Sequence, residues 1–172
     1  MGKGSRAALD GAMGAGLLSK LINSGFGFDS ALKVVNSALL VKSNDESLAT
    51  LDVANIDLFT GKCEIYKAGA PASYIIKNNS ITKCELTSMP AGILRGIEFA
   101  KRTAVLSLDD TILLMSDGIT DLGDKWLSSA LTEAYGMSCQ DTANYILEKA
   151  VENSDKTKMD DMSIIYARLE RN

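Results

Sequence analysis

The sequence predicts an α+β protein whose sheets are antiparallel. Segments with the periodicity of helices open the chain and return near its end, and short strand-like runs lie between them. Turn signals separate these runs about every 8–12 residues, a spacing typical of antiparallel sheets rather than of a doubly wound parallel sheet. The length of 172 residues fits one domain with a sizeable core, without repeat or linker. A single domain over residues 1–172 is therefore expected.

Two helices are predicted at the beginning of the chain. The first covers residues 6–22, whose apolar side chains recur at helical spacing. A glycine inside a helix costs about 1 kcal/mol relative to alanine. Glycines in this segment therefore indicate either close packing against a sheet, where only glycine fits, or a helix able to bend. The glycines are Gly11, Gly14 and Gly16. Asp29 is predicted to cap the second helix, which runs to about Val41.

Strands and hairpins are predicted through the middle of the chain, and helices after it. The turn sequences at 60–62 and 78–80 each separate two strand-like runs that should form a hairpin. Ser138 and Asp141 form a capping-box-like helix start. The predicted strands cover residues 47–59, 63–68, 73–77, 81–86, 98–106, 111–115 and 162–168, and the later helices cover 126–135 and 138–152.

Charge, hydropathy and cysteine content exclude several classes of protein. The net charge of −4 and the pI near 4.9 argue against a general nucleic-acid binder, which needs a basic face. No apolar run has the length of a membrane span and no signal peptide is recognisable, so a cytoplasmic segment without membrane contact is expected. Three widely spaced cysteines suit reduced thiols rather than a disulfide frame.

The sequence contains no histidine, and this excludes most histidine-dependent chemistry. Ser-His-Asp and Cys-His catalysis and imidazole-based zinc sites are impossible within this chain. A cysteine-dependent phosphatase needs an arginine six positions after the cysteine, where this chain has Gly69, Pro90 and Tyr145. A phosphate loop ending in Gly-Lys-Ser/Thr is also absent from the sequence. Any hydrolysis would therefore depend on carboxylates and metal.

Two junctions between aspartate and a strand are the candidate site. The strand at 111–115 ends at Asp117 and Gly118, and Asp160 and Asp161 lead into the last strand. Burying an isolated carboxylate is costly unless a cation or several donors meet it. Two such strand ends lying side by side could hold a hard divalent cation. The alternative is that both acidic pairs are ordinary solvated turns.

Several segments spread along the chain match one family of phosphatases. They are Gly2-x-Gly4-x-Arg6-Ala7, Val35-Asn36-Ser37-x-Leu39-Leu40, Ala49-Thr50-Leu51-Asp52, Ile56-Asp57-Leu58, Lys67-x-Gly69-x-Pro71-x-Ser73, Pro90-x-Gly92-Ile93-Leu94, Ser116-Asp117-Gly118-x-x-Asp121 and Asp160-Asp161-Met162-Ser163. With these segments the chain resembles the PPM-type metal-dependent protein serine/threonine phosphatases over nearly its whole length. More narrowly, it resembles the phosphatase domain of the stage II sporulation protein E family.

The resemblance implies both a fold and a set of site residues. The fold would be an α-β-β-α sandwich with two divalent cations, Mn²⁺ or Mg²⁺, at one edge. By motif match, Asp117 and Asp160 would be the metal-binding and catalytic carboxylates, acting through metal-bound water. Gly118 and Asp161 would be accessory residues, and Asp121 belongs to the same motif as Asp117. Solvated or capping roles are the alternative for Asp161 and Asp121.

The resemblance also implies a kind of substrate. It would be the phosphoserine of a small regulatory protein, an anti-sigma-factor antagonist in sporulation control. Arg6, Lys67 and Arg95 are cations that could receive the phosphate, and surface salt bridges are the alternative role for each.

The chain departs from the family pattern at its start. The family's first Asp-Gly, which supplies the bridging carboxylate, would lie immediately before Met1, and Asp10-Gly11 falls too far into the first helix to replace it. An N-terminally truncated domain, inactive by itself, is therefore expected. Its missing strands would leave a sheet edge that invites self-association, and its parent protein could be membrane-anchored. The alternatives are an inactive phosphatase-like module that binds a phosphoprotein, and a purely structural α+β domain.

Overall fold

The predicted helices and strands are present in the computed structural model, which describes residues 5–42, 49–78, 80–155, 157 and 160–171. The helices are α1 (Ser5–Asn23), α2 (Phe28–Lys42), α3 (Asp117–Thr120), α4 (Lys125–Glu133) and α5 (Cys139–Asn153). The strands are β1 (Leu51–Ile56), β2 (Lys62–Ala68), β3 (Ser73–Lys77), β4 (Ser80–Cys84), β5 (Ala100–Val105), β6 (Thr111–Met115) and β7 (Ile164–Arg168). One sheet has the order β1-β2-β5, and the other has the order β4-β3-β6-β7.

The first strand is shorter than predicted because the chain turns at Asp57. The Asp57 carboxylate accepts hydrogen bonds from the backbone N–H of Phe59 (2.9 Å) and from the Thr60 hydroxyl (2.7 Å). These bonds fold residues 57–60 into a turn where the sequence predicted that the strand would continue. The predicted beginning of this strand, at 47–48, lies outside the described residues.

Two helix starts also differ from the prediction. α2 begins at Phe28, so Asp29 lies in its first turn instead of at the N-cap. The Asp29 carboxylate lies 3.8 Å from the ammonium of Lys101, which gives it a charged partner instead of a capping role. Directly after β6, where a turn or loop was expected, the chain forms the short helix α3.

The chain folds as two compact units. The first consists of Met1–Val53, Ile65–Ala70 and Thr87–Lys101, and the second of Ala54–Glu64, Pro71–Leu86 and Arg102–Asn172. In the first unit, α1 and α2 pack against each other. Apolar residues of both helices share a core with Ala68, Ala91 and Ile97. No helix in the described part of the chain is long and apolar enough to span a membrane.

The glycines of α1 are not explained by close packing on a sheet. Gly14 is buried, and a Cβ built there would lie 3.8 Å from a methyl group of Val35 in α2, an ordinary contact between two helices. Gly11 and Gly16 are exposed, and no described atom lies within 4 Å of a Cβ built at either position. The sheet-packing interpretation is therefore wrong, while the bending interpretation stays a prediction.

Lys67 lies in the protein interior and not on the surface. Its side chain is fully buried in β2, and its ammonium lies 2.8 Å from a carboxylate oxygen of Asp52 in β1. Removing a lysine from water is expensive unless an opposite charge compensates it. The surface salt bridge expected for Lys67 is therefore an interior ion pair within the first unit.

The second unit is built on a sheet in which β6 lies between β3 and β7. Both pairings are antiparallel. The pairing of β6 with β7 runs from Thr111 opposite Arg168 to Met115 opposite Ile164. α5 packs on β7 and α4 packs on α5. The buried cluster formed by these elements contains Ala72, Tyr74, Leu113, Met115, Ile119, Leu127, Ile146 and Ala150. This core fixes the position of β6 and hence of the residues that follow it.

Ser138 caps α5 as its sequence pattern predicts. The Ser138 hydroxyl oxygen accepts a hydrogen bond from the Asp141 backbone N–H (3.1 Å), and the hydroxyl donates to the Asp141 carboxylate (2.6 Å). The first of these bonds satisfies one of the N–H groups that a helix start leaves without a partner, and the second orients the Ser138 hydroxyl for it.

We expect Ser138→Ala to lower the free energy of unfolding by about 1 kcal/mol, because an N–H of the first turn loses its acceptor. Urea unfolding followed by circular dichroism measures the change. Ser154→Ala is the matched control, since the Ser154 hydroxyl donates to the Val151 carbonyl at the other end of α5. It should change the free energy by less than about 0.5 kcal/mol. Equal effects of the two substitutions would contradict the capping role.

Candidate active site

The two acidic segments predicted from the sequence lie against each other in the second unit. The pairing of β6 with β7 ends at Met115 opposite Ile164. One residue further on, the Ser116 backbone N–H still donates to the Ser163 carbonyl at 3.0 Å. The chain directly after β6 therefore runs beside the chain directly before β7. We call Asp117, Gly118, Asp160 and Asp161 together the acidic edge.

Asp117 and Asp160 are both exposed to solvent. Asp117 is the first residue of α3, and its Oδ1 accepts the backbone N–H of Gly118 at 3.1 Å. The Oδ1 of Asp160 accepts the N–H of Asp161 at 2.9 Å. In both cases the carboxylate is turned back toward its own following peptide, which limits the orientations that the side chain adopts. The acidic edge thus presents oriented carboxylates to solvent.

Gly118 allows the two segments to touch through their backbones. A Cβ built at Gly118 would lie 2.7 Å from the carbonyl oxygen of Asp161 and 3.3 Å from that of Asp160. Contacts below 3.0 Å essentially never occur for a real Cβ, so a side chain at position 118 would push the segments apart. The sequence predicted Gly118 as an accessory residue next to a strand end. The requirement for glycine at position 118 comes from Asp161, over forty positions further along the chain, so the local sequence could not reveal this requirement.

The donor set of the acidic edge suits a hard divalent cation. The available ligands are carboxylate and backbone carbonyl oxygens, which Mg²⁺ and Mn²⁺ prefer, without nitrogen or sulfur ligands. Asp121 is exposed at the C-terminal end of α3, and its N–H donates to the Asp117 carbonyl. Among the described residues, no group of three or more acidic or cysteine side chains forms a metal site. The described chain therefore supplies two acidic segments, and Asp121 contacts them through the hydrogen bond from its backbone N–H to the Asp117 carbonyl.

A polar cluster that the sequence did not indicate holds the loop after α3. The Tyr74 hydroxyl donates to one carboxylate oxygen of Asp124 (2.5 Å), and the Lys83 ammonium donates to the other (2.9 Å). The bond from Tyr74, followed by that from Lys83, holds the pKa of the Asp124 carboxyl below its usual value. Burial and the same bond raise the pKa of the Tyr74 phenol. Asp124 is the N-cap residue of α4, but its side chain makes no capping hydrogen bond and binds Tyr74 and Lys83 instead.

The fold is that of a PP2C, or PPM-type, phosphatase domain. The solved structure of the PP2C phosphatase domain with a regulatory fragment of the cell fate determinant SpoIIE from Bacillus subtilis is 27% identical to this chain. The match has a TM-score of 0.82 and covers 98% of this chain and 52% of that one. The PPM Ser-Thr phosphatase MsPP from Mycobacterium smegmatis shares the fold, with a TM-score of 0.79, 16% identity, and coverage of 97% of this chain and 84% of that one. The predicted fold class and the PPM resemblance are thereby confirmed.

The chain belongs to the stage II sporulation protein E (SpoIIE) family, whose family model matches residues 1–170. Stage II sporulation protein E of Bacillus subtilis strain 168 is 28% identical over 178 residues, an alignment that covers 100% of this chain. The same alignment covers 22% of that relative, so the chain spans less than a quarter of its length. Within the PPM class, this chain is accordingly a homologue of the PP2C phosphatase domain of SpoIIE.

We expect Gly118→Ala to destabilise the protein by about 1–3 kcal/mol, because the new methyl group meets a backbone carbonyl that cannot easily move. Gly16→Ala is the matched control: it lies in α1 with no described atom within 4 Å of the added Cβ. It should stabilise the protein by up to about 1 kcal/mol. Urea unfolding of both variants makes the comparison, and a stabilised Gly118→Ala protein would contradict the close approach.

The Asp124 cluster predicts a pH dependence of stability. The pKa of Asp124 is lowered in the folded protein, whereas the unfolded value is about 3.9. Its contribution to stability is therefore fully present above about pH 4 and is lost as the pH falls through the lower folded pKa. We expect the difference in unfolding free energy between wild type and Asp124→Asn to be largest near neutral pH and to shrink below about pH 4.

Urea unfolding between neutral pH and strongly acidic pH measures this difference. Asp121→Asn changes another exposed aspartate of the same loop and is the control. A difference for Asp124→Asn that stays constant across this range would refute the ionised role of Asp124.

Proposed function

We propose that this chain is the metal-dependent core of a protein serine/threonine phosphatase, and that Asp117 and Asp160 hold its divalent cations. The observation that carries the proposal is the contact of the two acidic segments where the paired strands β6 and β7 end and begin, respectively. Family membership supports the same chemistry. A related phosphatase domain of SpoIIE from Bacillus subtilis, 27% identical, was soaked with Mn before its structure was solved. Mn²⁺ or Mg²⁺ is accordingly the proposed cofactor.

The roles of the chain's own residues follow from their positions. Bound divalent cations would lower the pKa of water and neutralise charge on a phosphoryl group. Asp117 and Asp160 would bind them through the exposed carboxylates, and Gly118 keeps the two segments close enough to share them. Asp161 fixes the segment through its backbone carbonyl, which contacts position 118 and accepts a hydrogen bond from Ser116.

A cysteine nucleophile is a poor alternative. Cys63 and Cys84 are fully buried, so a phosphoprotein could not reach either sulfur. Cys139 is partly exposed, but Tyr145 stands where a cysteine-dependent phosphatase needs its arginine. Burial also raises the pKa of the Cys63 thiol, and this disfavours the reactive thiolate. The chain has no histidine to activate a hydroxyl or thiol. Hydrolysis supported by carboxylates is therefore the chemistry that the described residues favour.

The proposed substrate is a phosphoserine on a small regulatory protein. The acidic edge lies on an exposed surface, where a protein segment could approach it, and does not require the substrate to enter a deep cavity. More specifically, we propose that the substrate protein is an anti-sigma-factor antagonist in sporulation control, and the family relationship supports this choice.

The test is Mn²⁺-dependent phosphate release from a phosphorylated antagonist protein, using the chain together with any upstream residues of its reading frame. We expect Asp117→Asn and Asp160→Asn each to reduce turnover by more than about 100-fold, beyond the 10–100-fold effect typical of residues that only orient metal ligands. Removing the metal with EDTA should have the same effect as these substitutions.

Asp109→Asn is the matched control, because Asp109 is an exposed aspartate before the other end of β6. Its left-handed backbone, with φ of 68°, also tolerates asparagine. Unchanged turnover of Asp117→Asn, or an equal loss in Asp109→Asn, would reject the assignment.

A further inference from the structure

The hydroxyl group of Ser116 joins the two segments of the acidic edge. It donates to the carbonyl of Asp161 at 3.1 Å and accepts the backbone N–H of Ser163 at 2.9 Å. One side-chain oxygen therefore contacts two positions of the opposite segment. Such a bridge restrains the sliding and the separation of that segment.

The bridge replaces a sheet hydrogen bond that the start of α3 removes. In a hydrogen-bonded antiparallel pair, each residue donates its N–H to the carbonyl of the other. Ser116 donates to Ser163 in this way, at 3.0 Å. The Ser116 carbonyl, however, accepts the N–H groups of Ile119 (3.0 Å) and Thr120 (3.2 Å), which are the first hydrogen bonds of α3. The Ser163 N–H bonds to the Ser116 hydroxyl instead.

The hydroxyl is not used for helix capping, although its position would suggest this. Ser116 is the N-cap residue of α3, and an N-cap serine normally accepts an N–H of the first helical turn. Its side chain makes no such bond. The Gly118 N–H bonds to the Asp117 carboxylate, so the serine oxygen remains available for the opposite segment.

We propose that Ser116 is a positioning residue that sets Asp160 and Asp161 against Asp117 and thereby raises the divalent-cation affinity of the acidic edge. The proposal rests on the proposed function. Without the hydroxyl, the Ser163 N–H and the Asp161 carbonyl each lose a partner, while the β6–β7 pairing up to Met115 and Ile164 keeps its own bonds. The segment before β7 is then held by fewer bonds, and the distance between the carboxylates varies more.

The test compares Ser116→Ala, Ser116→Thr and wild type. Mn²⁺ alone is the probe, and electron paramagnetic resonance of free Mn²⁺ gives the dissociation constant. We expect Ser116→Ala to weaken Mn²⁺ binding by about tenfold, the low end of effects seen for residues that orient metal ligands. Ser116→Thr retains the hydroxyl and should bind within about twofold of wild type, a change well below that range.

Two further variants complete the comparison. Ser37→Ala is the control, because the Ser37 hydroxyl donates to a carbonyl of its own helix, that of Lys33. It should leave Mn²⁺ binding unchanged. Asp117→Asn should abolish Mn²⁺ binding in every background. Hydrogen exchange of the Ser163 amide is a second readout, and only Ser116→Ala should accelerate it.

The outcomes separate this inference from the proposed function. If Mn²⁺ binding depends on Asp117 but Ser116→Ala binds as wild type does, or leaves Ser163 exchange unchanged, the positioning role is refuted and the metal site stands. If the weakening in Ser116→Ala is accompanied by faster exchange throughout the protein, general destabilisation explains it and the inference fails. If wild-type binding does not respond to Asp117→Asn, the proposed function fails, and this inference fails with it.

Discussion

The contact between the backbones of Gly118 and Asp161 is the constraint on which the acidic edge depends. A side chain at position 118 would fall 2.7 Å from the Asp161 carbonyl oxygen, so only glycine lets the chain after β6 lie directly against the chain before β7. Aspartates flank this contact, one on each segment. Because the segments touch through main-chain atoms, the spacing of the carboxylates is governed by backbone packing and not by flexible side chains.

The strands behind the edge keep that contact in place. β6 lies between β3 and β7, and its residues Leu113 and Met115 are buried in the core of the second unit. Tyr74, from β3, binds Asp124 and so fixes the loop that follows α3. The acidic segment after β6 is thus held by the sheet on one side and by the Tyr74–Asp124 bond on the other. Ser116 adds the direct link to the opposite segment.

The catalytic chemistry open to this chain is limited by the residue types that it lacks and by the reactive side chains that it buries. The sequence has no histidine, and the sulfur atoms of Cys63 and Cys84 are inaccessible. Lys67 is held in the interior by Asp52 and is not presented on the surface. The acidic edge offers exposed oxygen ligands, and ligands of this kind favour a hard divalent cation.

The sequence by itself determined the helices and strands to within a few residues and the absence of histidine chemistry, because each follows from local periodicity or composition. A short motif also singled out Asp117 and Asp160, whose metal-binding role stays a prediction. The tertiary structure alone decided the start of α3 after β6, the burial of Lys67 and the roles of Gly118 and Ser116. The Ser116 hydroxyl bridges positions 45 and 47 residues further along the chain. Such contacts are set by strand register and packing between distant segments, and these have no signature in local sequence.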